Sequence, residues 1–379
     1  MNEQLTISWT EAGRACSARW RSESGAPPPK RVVVADDTMK ADEAYRLACE
    51  GTALLWRGDY QNARQLLQAM SRRANRKARR TSALPAEAFH LHRQAQSQRA
   101  RTLAMVLLPL DRDYAIPLRR APDMRQACIE AYGPASGASV VPLRELLGLI
   151  GAHEWRKKGV EIVVLGVSGL GARIHPHYGV FSPVRGEYVG LVNEAPLPST
   201  ALAFDIGTGT GVLAAVLARR GVKRVVATDQ DPRALACARD NLARLGLDGQ
   251  VELVQADMFP AGRAPLVVCN PPWIPARPSS PIEHAIFDVD SRMLRAFIGG
   301  LPAHLEPGGE GWLVLSDIAE HLGLRTRDEL LALFDAAGLR VAGRMDVRPH
   351  HPKVSDVDDP LHAARAAEVT SLWRLAVKG

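Results

Sequence analysis

The sequence predicts an α/β protein: a doubly wound, mainly parallel sheet of seven strands, preceded by a mostly helical N-terminal domain. Three observations carry this. From Leu202 onward, short apolar runs alternate with amphipathic stretches of helical period, the pattern of β-α units stacking on a parallel sheet. A glycine-rich turn follows the first of those runs and opens a helical stretch. The last two apolar runs have no helical stretch between them, which admits an antiparallel strand at the sheet edge.

Length and composition bound the rest. A chain of 379 residues suggests two or three domains. Its 46% hydrophobic and 23% charged residues exclude a wholly disordered or collagen-like chain. No apolar run approaches the roughly 20 residues of a membrane span; the longest, 160–170, carries Glu161 and is broken by Gly166 and Gly169. The first residues are polar at Asn2, Glu3 and Gln4, without the apolar segment of a secretory leader. A soluble, cytoplasmic protein with no membrane partner is therefore expected. Cys16, Cys49, Cys128, Cys237 and Cys269 form no Cys-x-x-Cys pair, so reduced thiols are expected rather than a disulfide scaffold or a zinc knuckle. No metal is expected either, since His175-Pro176-His177 supplies only two ligands.

The charge is uneven. Residues 1–150 hold 23 basic against 15 acidic side chains, and residues 201–379 hold 20 against 22. A basic N-terminal part suits an acidic partner such as nucleic acid, or simply a well-solvated face. Residues 1–40 read as a poorly ordered arm because Pro27, Pro28 and Pro29 sit in linker-like composition. Residues 41–155 read as a helical substrate-recognition domain. Tyr45, Leu47, Ala48, Leu54, Leu55 and Trp56 recur near helical spacing, as do Tyr60, Ala63, Leu66, Leu67 and Met70. The run 71–80 carries six basic side chains in ten residues, a stretch that could meet phosphates. Residues 156–200 read as a β-rich connector, with strands at 160–165 and 179–181.

The remaining segment, 201–379, gives strands at 202–206, 224–228, 251–255, 266–269, 311–316, 340–346 and 370–377, with helices at 212–220, 232–245, 291–305 and 326–337. Asp231 before Pro232 is an N-cap followed by proline at the first helical position. Gly246 is a helix stop. Asp290 or Ser291 is expected to cap the next helix, and Arg292 to pair locally with Asp288 or Asp290.

Asp205-Ile206-Gly207-Thr208-Gly209-Thr210-Gly211 lies between a strand and a helix. There glycines let a ligand approach the backbone closely. A dinucleotide fingerprint needs glycine where Val212 stands, which disfavours a nicotinamide-dependent oxidoreductase. Asp229 ends the second strand, where a carboxylate accepts ribose hydroxyls on nucleoside-binding doubly wound folds. Gln230 follows it, and Asp257-Met258 follows the third strand. The fourth strand runs into Asn270-Pro271-Pro272-Trp273, at the end of the sheet where ligands bind.

The acidic residue before Gly-x-Gly-x-Gly resembles motif I of the class I S-adenosylmethionine-dependent methyltransferases, which have a Rossmann-like sheet. Asn-Pro-Pro-Trp resembles motif IV of members that act on planar nitrogens. Together with Gly179 to Pro183 upstream, residues 175–320 are similar to the HemK-like release-factor glutamine methyltransferases and their small-domain rRNA methyltransferase relatives. That resemblance implies S-adenosyl-L-methionine as cofactor. It places Asp205, Gly207, Thr208, Gly209 and Gly211 around the methionine end, with Asp229 and Gln230 at the ribose. Asp257 would accept from the adenine amino group, Met258 would lie against the ring, and Phe181 and Pro183 would cover the cofactor.

The chemistry fits the fourth motif. A planar amide or aromatic amine nitrogen has a delocalised lone pair. The Asn270 side-chain oxygen and the Pro271 carbonyl can accept its two hydrogens and favour positive charge on it. Pro271 and Pro272 stiffen the loop, and Trp273 offers a flat face. A macromolecular acceptor is implied: a protein with an exposed glutamine, or a base amine of RNA or DNA met through the basic N-terminal part. The family has Tyr where Trp273 stands and a shorter N-terminal domain. An inactive nucleic-acid-binding scaffold is the contrasting reading; the intact glycine and asparagine loops speak against it.

Overall fold

A computed structural model of the chain describes residues 5–76, 82–166, 173–350, 356 and 359–379. The chain divides into two compact units, 1–81 with 90–154, and 82–89 with 155–379. Parts of two expected features, the basic run beyond Arg76 and residues 167–170 of the long apolar run, lie outside the described residues.

The first stretch is not an arm. Thr6–Glu11 (β1) and Arg14–Trp20 (β2) form an antiparallel hairpin, and Arg31–Ala35 (β3) is a strand as well. Nor is the region after it mostly helical. In chain order follow Ala41–Cys49 (α1), Thr52–Trp56 (β4), Tyr60–Arg76 (α2), Pro85–Leu103 (α3), Val106–Leu110 (β5), Arg125–Tyr132 (α4), Ser139–Pro142 (β6) and Leu143–Lys158 (α5). The six strands form one sheet in the order β1-β2-β6-β5-β4-β3, with β3, β4 and β5 parallel. The physical reason is β4: all five of its residues are buried, and a short wholly buried strand carries the same continuous apolar run as a buried helix segment. Of the basic run, Arg73 is engaged by Asp42 at 2.5 Å.

The connector is less β-rich than expected. Val160–Glu161 (β7) and Arg173–Ile174 (β8) pair antiparallel, 163–165 is a helical turn, 179–181 is not a strand, and Glu187–Glu194 (α6) is a helix.

The C-terminal elements follow the sequence reading closely. They are Leu202–Ile206 (β9), Val212–Arg219 (α7), Arg224–Asp229 (β10), Pro232–Leu245 (α8), Val251–Gln255 (β11), Ala264–Cys269 (β12), Arg292–His304 (α9), Leu305–Ser316 (β13), Ile318–His321 (α10), Arg327–Ala336 (α11), Leu339–Val347 (β14), His362–Ala367 (α12) and Thr370–Val377 (β15). The sheet has the seven strands expected, in the order β11-β10-β9-β12-β13-β15-β14. All pairs are parallel except the two made by β15. Side chains alternate between two cores, as the period of two requires. Ala203, Val225, Ala227, Leu266, Val268, Trp312 and Val314 join α6, α7 and α8 on one face. Phe204, Val226, Val267, Cys269, Leu313 and Leu315 join α9 and α11 on the other.

Candidate active site

Parallel register assembles the site. In β9 and β10, Ile206 is level with Thr228; in β9 and β12, Ile206 is level with Cys269. The next residues, Gly207, Asp229 and Asn270, therefore stand side by side at the carboxyl edge of the sheet. This is the switch point of the order, with β10 on one side of β9 and β12 on the other.

The glycine loop has left-handed backbone at Gly207, Gly209 and Gly211, with φ of 71°, 55° and 81°. Gly211 is the residue before α7, and a Cβ there would sit 3.2 Å from that of Ala238 on α8, so glycine is set by both conformation and packing. At Gly209 a Cβ would meet nothing within 4 Å, so the loop presents bare backbone there. The Gly209 N–H instead donates to Asp229 Oδ2 at 3.0 Å. The Asp231 N–H donates to Oδ1 of the same carboxylate at 3.0 Å. Burial raises the Asp229 pKa above the ordinary carboxylate value, against these two bonds, which lower it.

Asp205 is 1% exposed. Its Oδ2 accepts the Thr208 hydroxyl at 2.6 Å and the Ala214 N–H, in the first turn of α7, at 3.0 Å. Burial raises its pKa to about 6, and the nearby Asp229 charge adds to that. Asp205 thus pins the glycine loop to the start of α7.

At the β12 end, Pro271 is buried and Asn270, Pro272 and Trp273 are half-buried. The Trp273 indole N–H donates to Asn270 Oδ1 at 2.9 Å. The Arg185 guanidinium stands over the Trp273 ring, 5.3 Å from its centre. Arg185 also pairs with Glu187 and with buried Glu368, each at 3.0 Å. Phe181 is half-buried and Pro183 buried; they lie in sequence between Val180, which packs on Ala234 and Cys237 of α8, and Arg185 at Trp273.

Asp257 is exposed and held by Arg292 through bonds of 3.1 and 3.3 Å. The expected pairing of Arg292 with Asp288 or Asp290 gives way to this one, because Asp288 accepts the Met293 N–H at 2.6 Å. Neither Asp290 nor Ser291 caps α9 through its side chain; both have left-handed backbone, and Asp288 serves that end. Met258 has φ of 91°, and its carbonyl accepts the hydroxyl of fully buried Thr228 at 2.5 Å. Gln230 is exposed, its carbonyl accepting from Gln255 at 3.3 Å. Thr228, Arg185 and Arg292 carry no motif, and only the folded chain brings them here. His175 and His177 are tied instead to the carbonyl of Arg156 and to Asp240, at 2.7 and 3.0 Å.

The sequence model of the methyltransferase small domain family matches residues 172–336. A release factor glutamine methyltransferase of Cereibacter sphaeroides is 34% identical over 179 residues, 44% of this chain and 61% of that protein. A second enzyme of that name, from Geobacter sulfurreducens, is 30% identical over 39% of this chain and 55% of its own length. A ribosomal protein L11 methyltransferase of Sorangium cellulosum is 35% identical over 35% of this chain and 34% of that protein. The chain thus spans between a third and three fifths of the length of these relatives. The matched segment, residues 172–336, contains β9 to α11 and every loop described above.

Proposed function

We propose that this chain is an S-adenosylmethionine-dependent N-methyltransferase whose acceptor is a planar amide nitrogen, with a protein glutamine side chain first. The observation that carries this is the register that sets Asn270 and Asp229 on either side of Gly207. The residues suit the cofactor. Bare backbone at Gly209 admits a ligand close to the loop. The Asp229 carboxylate uses one lone pair of each oxygen on backbone N–H groups, leaving others for a ribose diol. Asp205, Gly207, Thr208 and Gly211 would shape the methionine end, with Gln230, Asp257 and Met258 around the base and Phe181 and Pro183 as the cover. When bound, S-adenosylmethionine supplies a methyl group on a positively charged sulfur.

The chain's own residues then orient and exclude. Asn270 Oδ1, with one lone pair taken by Trp273, offers the other to an N–H of the acceptor. The Pro271 carbonyl takes the second N–H. Both favour the positive charge that builds on that nitrogen as its lone pair attacks the methyl carbon and the carbon–sulfur bond breaks. The two prolines hold these acceptors in place, and the surplus proton passes to water. The release-factor enzymes among the relatives favour glutamine. The N-terminal unit is assigned to acceptor recognition.

Labelled cofactor incubated with extract of a strain lacking this protein tests the reading. Label removed by protease supports the glutamine acceptor. Label removed by nuclease moves the acceptor to a base amine, and no transfer to either contradicts a macromolecular substrate.

A further inference from the structure

Beside the Asn-Pro-Pro-Trp loop lies a pocket of about 220 Å³ whose lining includes Pro275, two residues beyond Trp273, with Leu294, Leu324 and Leu333. Arg325 also lines it. That side chain is only 7% exposed, and none of its three guanidinium nitrogens has a hydrogen-bond partner among the described residues. A guanidinium does not shed its proton in a protein, and an uncompensated buried charge is strongly unfavourable.

The neighbouring carboxylates are committed elsewhere. Glu320 receives Arg327 through bonds of 2.9 and 3.0 Å. Glu329 accepts the Thr326 N–H at 2.7 Å as part of the capping box that starts α11. The second cation of the pocket, Arg295, donates from Nε to the Asp290 carbonyl at 3.0 Å, and among the described residues its outer nitrogens have no hydrogen-bond partner.

We propose that this pocket binds a carboxylate carried by a polypeptide acceptor, with Arg325 as its principal partner. The guanidinium fork matches a planar carboxylate through two parallel bonds. Leucine and proline walls suit the methylene stem of an acidic side chain. Asp290 and Glu329 on the same lining oppose a dianionic phosphate more than a single negative charge. The proposal deepens the protein-acceptor reading and rests on it. It makes Arg325 a positioning residue that registers the acceptor next to Asn270.

Butyrate, a monoanion with a short apolar stem, is the probe. Thermal unfolding of the full chain is followed in butyrate, inorganic phosphate and chloride at matched ionic strength, for the wild type and Arg325→Met. Butyrate well above its Kd should raise the wild-type Tm by about 3 °C over chloride and leave Arg325→Met unmoved. Arg325→Lys, which keeps the charge and loses the fork, should bind butyrate roughly 10-fold more weakly by calorimetry. This second variant decides the matter if Arg325→Met does not fold. The proposal is overturned if butyrate acts no better than chloride on the wild type, if phosphate stabilises more than butyrate, or if Arg325→Lys binds as tightly as the wild type. None of these readings requires turnover, so a failed pocket leaves the methyl-transfer reading standing, and failed transfer leaves the pocket result standing.

Discussion

The Trp273 indole N–H points at the side-chain oxygen of Asn270 across 2.9 Å. The motif therefore clamps itself. The bond fixes which end of the Asn270 amide is oxygen, since only oxygen can accept the indole proton. It also makes Trp273 a brace as well as a flat surface. Its ring packs against both main cores of the sheet and is faced by Arg185 on a side, where the expectation was chiefly a platform for the acceptor.

Trp273→Phe keeps most of the ring and removes the N–H. With one neutral hydrogen bond worth about 1 kcal/mol, turnover should fall roughly 5- to 10-fold while cofactor affinity stays unchanged. An unaltered kcat would show that the clamp does not orient Asn270.

Arg185 links Trp273 to the buried Glu368, whose other bond is from the Ser316 hydroxyl at 2.7 Å. Arg185→Met strands that carboxylate and should lower stability by about 3 kcal/mol. Adding Glu368→Gln should recover part of the loss, because the stranded charge is gone. Urea unfolding of both variants checks this, and equal instability of the single and double variants would mean that Arg185 acts through packing alone.

Asp229→Ala removes both the carboxylate proposed to accept the ribose hydroxyls and the partner of the Gly209 N–H. Cofactor Kd should rise at least about 30-fold, equivalent to roughly 2 kcal/mol for a buried charged hydrogen-bonding group. Isothermal titration measures it directly, and an unchanged Kd would place the ribose elsewhere.

The Asp205 carboxyl, raised by burial to about 6 in the folded chain, makes stability depend on pH. Between its ordinary value of about 3.9 and 6, the folded state holds more protons than the unfolded state. Its stabilising contribution is thus present below that window and is lost as pH rises through it, by up to about 3 kcal/mol. The raised pKa of Asp229 acts in the same direction. Asp205→Asn should make the stability profile between pH 4 and 6 flatter, as read by denaturant titration at each pH. A slope equal to the wild type's would show that Asp205 is not the group responsible.

Much of this geometry was legible in the sequence because residues 201–379 obey local rules. Asp231 accepts the Arg233 N–H at 2.8 Å as the cap of α8, Pro232 follows it, and Gly246 ends the helix with φ of 66°. The strand ends that carry Asp229 and Asn270 could be placed because each apolar run stops where its motif begins. The N-terminal sheet was not legible for the opposite reason. Leu54, Leu55 and Trp56 are buried on both faces of β4, so the alternation that marks a half-buried strand is missing. The β-branched run Val32, Val33 and Val34 of β3 was masked by the prolines before it. Contacts such as Arg185 on Trp273, or Arg292 on Asp257, join residues 88 and 35 positions apart, and no spacing rule reaches them.

The central claim is that Asn270 orients the acceptor nitrogen and does not hold the cofactor. Asn270→Ala, assayed for cofactor binding by calorimetry and for methyl transfer to its acceptor, tests it most directly. Transfer should fall by at least about 100-fold, with the cofactor Kd within about threefold of the wild type. Loss of cofactor binding in step with transfer, or transfer that persists, would contradict the account.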